Sequence, residues 1–253
     1  MTGIYFSGTG NTRFCLSRFL NEIGNDIPMY SIEDGQSVTA ISQSDDIIFA
    51  YPVYYSNLPK IVRDYINRNS ALWQGKNIYI IATMGAFSGD GAGVSARLFR
   101  NYGAKISGGL HLKMPDCIGD VKALKKPLEA NKLIVKKAVE KIEKSANMYK
   151  SGDMTQEGLN IWYHIAGLFG QRLYFYGKTK NYTDKLKIDS KKCIGCGACE
   201  KLCPMNNIHI ENMKAVSENM CTMCYRCISH CPQKAITLIG KRVIQQSVIE
   251  HYI

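Results

Sequence analysis

The chain has 253 residues, 45% of them hydrophobic and 21% charged, which is enough to bury one large core or two smaller ones and excludes a largely disordered chain. Of its ten cysteines, eight fall between residues 193 and 231, a crowding that argues against a secreted disulfide scaffold and for a metal site. The formal net charge of +11 is unevenly spread, with nine basic against four acidic groups in residues 120–150.

In chain order, Met1-Thr2-Gly3 runs straight into the apolar stretch Ile4-Tyr5-Phe6. With no basic leader and no small-residue cleavage site, this start predicts a cytoplasmic protein. Candidate strands are Gly3–Phe6, Pro28–Ser31, Asp46–Ala50, Asn77–Thr83 and Lys105–Leu112. Between them Thr12–Ile23, Leu58–Asn69 and Gly91–Asn101 read as helices, and Pro127–Tyr149 closes the series with Leu133, Ala138, Ile142, Ala146 and Tyr149 turned inward. Alternating strands and helices predict one α/β domain, a doubly wound five-stranded parallel sheet over residues 1–150.

The segment Ser7-Gly8-Thr9-Gly10-Asn11-Thr12 joins the first strand to the first helix, where free N–H groups and the helix dipole favour an anion. It carries hydroxyls but neither lysine nor arginine, so it is not a Walker loop, nor is it a G-x-G-x-x-G dinucleotide loop. A terminal monophosphate held by hydrogen bonds is the natural guest.

Residues 151–186 read as a helical connector in which Trp162, Ile165, Phe169, Leu173 and Tyr176 form an aromatic stripe, most simply packed between domains. The apolar run Leu159–Tyr176 is broken by Asn160, His164, Gln171 and Arg172, so no transmembrane span is expected. Residues 187–240 hold an internal repeat: Cys193, Cys196, Cys199 and Cys203 are followed by Pro204, and Cys221, Cys224, Cys227 and Cys231 by Pro232. Residues 241–253 read as a short tail packed back on the body.

Both halves of the repeat read C-x-x-C-x-x-C-x-x-x-C-P. Three closely spaced thiolates reach three irons of one cube, and the fourth ligates the other cluster. Cys193, Cys196, Cys199 and Cys231 are therefore expected at one [4Fe-4S] cluster and Cys221, Cys224, Cys227 and Cys203 at a second. Zinc, the alternative, leaves the third C-x-x-C step unexplained. Tyr225 and Arg226 stand where the first half has Gly197 and Ala198, so the two clusters are expected to differ in potential. Clusters and a bound phosphate together take back about six positive charges, which weighs against nucleic-acid binding. Cys15 reads as a buried hydrophobe, and nothing in the sequence marks Cys117 as reactive.

The cysteine region resembles the bacterial two-cluster ferredoxins. The loop Ser7–Thr12 resembles the FMN phosphate loop of the flavodoxins, and the whole chain is similar to flavodoxin–ferredoxin fusions known in anaerobic bacteria. That resemblance implies FMN and two [4Fe-4S] clusters as cofactors. It places the flavin ring between Tyr51–Pro59 and Thr83–Gly91, where Pro52, Val53, Thr83, Met84, Ala86 and Asp90 become candidate contacts. Tyr54, Tyr55 or Phe87 would stack on the ring, and backbone groups of Ser56, Asn57, Gly85 and Gly89 would meet its polar edge. Many flavodoxins have a glycine in the first ring loop whose peptide flips on one-electron reduction; this loop has none, and Asn57 is the residue that tolerates left-handed geometry.

The implied function is electron transfer between clusters and FMN, converting one-electron to two-electron chemistry for redox partners. The alternative is an FMN-dependent reductase of a quinone, nitro compound or nicotinamide. No catalytic acid or base is expected, since Asp90 is most simply a loop residue and His230 a cluster neighbour. The lysine face of residues 120–150 is a candidate dock for an acidic partner such as a small ferredoxin.

Overall fold

The computed structural model describes residues 1–55, 57–86, 89–160, 162–163, 165 and 183–253. In the first region the elements are β1 (Thr2–Tyr5), α1 (Asn11–Ile23), β2 (Met29–Ser31), α2 (Gln36–Ser42), β3 (Asp46–Pro52), α3 (Lys60–Arg68), β4 (Asn77–Met84), α4 (Gly91–Asn101), β5 (Lys105–Lys113) and α5 (Leu128–Lys150). The five strands form one parallel sheet in the order β2-β1-β3-β4-β5, the flavodoxin-like doubly wound arrangement. The order reverses between β1 and β3, which opens a crevice at their carboxyl ends.

Strand periodicity explains the two layers of core. Ile47, Phe49 and Tyr51 of β3, with Ile78, Ile80 and Ala82 of β4, face one side and pack with Val62, Ile66, Trp73 and Phe99. Ile48 and Ala50, with Tyr79 and Ile81, face the other and pack with Leu16, Phe19, Val135, Ala138 and Ile142. One expectation on α5 needs correction: Leu133 is 51% exposed, and Val135 takes the inward position with Asn131, Ala138, Ile142, Ser145 and Ala146. Placing Leu133 inward set the helix phase two residues early in that turn. The helix α2, with only Val38, Ala40 and Ile41 as apolar residues, has no sequence pattern strong enough to announce it.

His111 on β5 is half-buried against the start of α4, where its Nε2 accepts the Ala92 N–H at 3.0 Å. Burial lowers its pKa from 6.5 to about 4. Between those two values the unfolded chain binds a proton that the folded protein refuses, so stability falls as pH drops through this window. His111→Gln is expected to lose on the order of 2 kcal/mol less than the parent between pH 7 and pH 5, in urea unfolding at each pH. Equal slopes for the two proteins would refute this.

The cysteine region has short antiparallel pairs, β6 (Lys187–Ile188) with β9 (Ile236–Thr237) and β7 (Ile208–Glu211) with β8 (Lys214–Ser217). Two short helices, Ala198–Leu202 and Arg226–His230, lie within the two cysteine runs and carry the third cysteine of each, Cys199 and Cys227. Residues 241–253 return to the first region, where Ile249 and Tyr252 are buried in the core beside α1 and α5. Of the aromatic stripe, Trp162 and Ile165 are exposed, while Phe169, Leu173 and Tyr176 lie outside the described residues. Among the described residues no helix is long and apolar enough to cross a membrane.

Candidate functional site

The crevice at the switch point is a pocket lined by Ser7, Gly8, Thr9, Asn11 and Thr12 after β1, by Pro52, Val53, Tyr54 and Tyr55 after β3, and by Thr83, Met84, Gly85 and Ala86 after β4. The loop Ser7–Thr12 turns into α1 through Gly10, whose φ of 91° belongs to the left-handed region that glycine enters without strain. Thr12 and Thr83 share a hydroxyl hydrogen bond of 2.7 Å that ties the loop to β4. Asn11 donates through Nδ2 to the Pro115 carbonyl at 2.8 Å, and its buried Oδ1 has no partner. A buried acceptor without a donor is costly, and a ligand hydroxyl would satisfy it. The donor-rich loop, this acceptor and a wall of Tyr54, Tyr55, Met84 and Met114 suit a phosphate, a polyol chain and an aromatic ring in turn.

Several expected contacts lie elsewhere. Gly10 and Asn57 do not line this pocket. Gly89 and Asp90 do not either, and Asp90 is fully buried in an ion pair with Arg97 at 2.6 Å. Ser56 and Phe87 lie outside the described residues. Among the described residues of the first ring loop the left-handed one is Tyr55, with φ of 51°, and not Asn57.

Sequence reasoning missed two parts of the wall. One is the loop after β5, with Met114, Pro115, Asp116, Cys117, Ile118 and, further on, Leu124. Burial raises the pKa of the Asp116 carboxyl and that of the Cys117 thiol. The other is Met223 and Tyr225, which reach the pocket from the second cysteine run.

These two residues show how the repeat has diverged. Gly195 and Gly197 of the first run have φ of 68° and 73°, and Met223 and Tyr225 occupy the same motif positions with φ of 61° and 59°. A side chain in this region costs roughly 1 kcal/mol. For Tyr225 the contacts that offset it are visible: the ring is buried, and its hydroxyl donates to Asp120 Oδ1 at 3.1 Å. Asp120 Oδ2 in turn accepts N–H bonds from Leu238, Ile239 and Gly240 at 2.7, 2.9 and 3.0 Å. A carboxylate of the first region thus holds the second. Gly8 sits so close to the Cys224 carbonyl that any Cβ would collide with it, and Cys224 itself belongs to the core of the first region.

Cys193, Cys196, Cys199 and Cys231 line one small pocket. Cys203, Cys221, Cys224 and Cys227 lie near enough for their charges to act on one another. Burial pushes the Cys224 thiol up to about 12, with Cys221 and Cys203 adding to the rise. It likewise raises Cys227, which also feels Cys199 of the first set. Backbone N–H groups point at four of the sulfurs: Ala215 at Cys193 (3.4 Å), Asn207 at Cys203, Met223 at Cys221 and Ala235 at Cys231 (3.3 Å each). Sulfur acceptors in such N–H cages suit iron–sulfur ligation. Among the described residues no three ligating side chains meet at a single-ion position; ligands that each bind a different corner of a cube need not do so.

Residues 4–105 match a family model described as a flavodoxin domain, and residues 185–232 one described as a 4Fe-4S dicluster domain. The chain is 42% identical over 55 residues to a ferredoxin of Methanothermococcus thermolithotrophicus, covering 20% of this chain and 92% of that protein. It is 47% identical over 47 residues to one component of the ion-translocating oxidoreductase complex of Methanosarcina acetivorans, with 18% of each covered. The chain thus spans about a fifth of the length of the first relatives it matches. Among solved structures, the Megasphaera elsdenii flavodoxin aligns with a TM-score of 0.42 and 24% identity, over 46% of this chain and 89% of that one. A Fusobacterium nucleatum flavodoxin bound to flavin mononucleotide aligns with a TM-score of 0.41 and 16% identity, over 59% and 96%. From the two family matches and the near-complete ferredoxin match, the chain is a flavodoxin–ferredoxin fusion, in which a flavodoxin domain that implies FMN is joined to a 4Fe-4S dicluster domain.

Proposed function

We propose that the protein is an internal electron wire that exchanges single electrons through its cysteine domain and electron pairs through its flavin pocket. The observation that carries this reading is the shared wall: Met223 and Tyr225 of the second cysteine run line the same pocket as the loops after β1, β3 and β4. When bound, FMN accepts one or two electrons and each cluster one. On this reading Cys203, Cys221, Cys224 and Cys227 hold the cluster beside the flavin. Cys193, Cys196, Cys199 and Cys231 hold the outer one, where Cys196 and Ile194 are exposed to a partner.

The chain's own groups divide the remaining work. N–H groups of Ser7–Thr12 bind the phosphate, Tyr54 and Tyr55 wall the ring, and Met223 and Tyr225 close the side that faces the clusters. Asp116, whose pKa burial raises, lines the pocket from the loop after β5. The working units are residues 1–150 for FMN, 151–186 as connector, 187–240 for the clusters and 241–253 as the returning segment. The setting is the cytoplasm. Lys132, Lys136, Lys137 and Lys144, exposed on α5, meet an acidic redox partner.

Anaerobic stopped-flow on the full chain tests the wire. After a pulse of one-electron reductant, cluster bleaching and flavin bands are expected to relax together at a rate independent of protein concentration. A rate that rises with concentration would mean transfer between molecules and overturn the reading.

A further inference from the structure

Each of the three side chains that distinguish the second cysteine run from Gly195, Gly197 and Ala198 touches the FMN domain. Met223 and Tyr225 enter the pocket, whereas Arg226 lies behind the phosphate loop and does not line the pocket. Its Nη2 donates to the Ser7 carbonyl at 2.8 Å and its Nε to the Gly8 carbonyl at 3.3 Å. Nη1 donates to the Leu202 carbonyl at 3.1 Å, one residue before Cys203. Glu33 orients the guanidinium, accepting from Nη1 at 2.8 Å and Nη2 at 2.7 Å. The next carbonyl of the loop, that of Thr9, accepts the Ile249 N–H at 3.0 Å.

Three successive carbonyls of the phosphate loop are therefore satisfied by the cysteine domain and the segment that follows it. Each shares its peptide unit with the N–H of the next residue: Gly8, Thr9 or Gly10. Hydrogen bonding to a peptide carbonyl polarises its N–H, and a cationic donor does so more strongly. The loop has no cation of its own.

We propose that Arg226 is a positioning residue for the flavin phosphate. It sets the loop's geometry and sends its charge through the peptide units after Ser7 and Gly8, without touching the ligand. Phosphate recognition by the FMN domain is then conditional on the docked cysteine domain, and by linkage FMN favours docking to the same degree. The inference rests on FMN as the guest of the loop.

The test compares flavins with and without a phosphate. Full-length protein with its clusters intact and its flavin removed is titrated with FMN and with riboflavin, following flavin fluorescence, while iron content and cluster absorbance are recorded. Arg226→Gln is expected to raise the Kd for FMN by about 10–100-fold, or 1.4–2.8 kcal/mol, and to leave riboflavin within about twofold. Arg226→Lys, which keeps the charge but spans fewer acceptors, falls between, and it carries the test if the glutamine variant does not fold. Equal weakening of both flavins would reduce Arg226 to a structural prop and overturn the proposal, as would no weakening of either. Failure of the parent protein to bind FMN would overturn the cofactor assignment and this inference with it, whereas a concentration-dependent electron exchange would overturn the wire alone.

Discussion

Cys224→Ala is expected to halve the iron content and to slow electron arrival at the flavin by about 10²–10⁴-fold, the ratio that separates a tethered encounter from a bimolecular one. Cys196→Ala removes a ligand of the other set and also halves the iron, yet should leave exchange at the flavin within about threefold, because no group of that set lines the flavin pocket. Its loss falls instead on reduction by an external one-electron protein donor. The contrast follows from placement: Cys224 is buried in the first domain's core, beside Tyr54 and against Gly8, whereas Cys196 is exposed. Iron quantitation with stopped-flow on the two variants checks it. Equal loss of flavin reduction in both would overturn the placement of the Cys224 set beside the flavin, and a larger loss in Cys196→Ala would reverse the order of the clusters.

The largest effect on stability is expected at Asp120. Its side chain is 4% exposed and accepts three backbone N–H groups and the Tyr225 hydroxyl. Asp120→Ala leaves four donors without an acceptor, two of them in buried hydrogen bonds and two in part-buried ones, and removes a charge-assisted network, a cost of about 3–5 kcal/mol. Asp120→Asn keeps the shape and part of the acceptor capacity, so about half that loss is expected. Because the acceptor lies in one domain and the donors in the other, the damage should appear as undocking. In urea, cluster bleaching and flavin release coincide in the parent and separate in Asp120→Ala. Coincident transitions in the variant, at unchanged midpoint, would refute the role given to this residue.

What could be read in advance was what is local. The cysteine spacing and the loop Ser7–Thr12 each place their groups within a dozen residues, so the chemistry shows in the string of letters. The parallel sheet was legible because apolar residues on both faces make β3 and β4 continuous hydrophobic runs. The wall formed by Met114, Asp116 and Cys117 carries no motif; those side chains gain a role only from the loop's position after β5. Asp120 and Tyr225 are 105 residues apart in sequence, and no periodicity links them. The divergence of the repeat was visible at Tyr225 and Arg226, but it was read as a difference in potential and not as the docking face it also is. Left-handed geometry at Tyr55 and Tyr225 escaped for a related reason, since the tertiary contacts override the local preference for glycine or asparagine.

The burial of Ile249 and Tyr252 in the core beside α1 and α5 bears on biogenesis. A ribosome finishes α5 about a hundred residues before it delivers Tyr252, so the first domain waits, with part of its hydrophobic layer open, until that segment has emerged. Contacts of such long sequence separation are slow to form. The nascent first domain is accordingly the stage at which chaperones would engage the chain, and cofactor insertion belongs after release, when the returning segment has closed the layer. Pulse-labelled chains released before residue 249 should be cut by protease within the first 150 residues far faster than full-length ones.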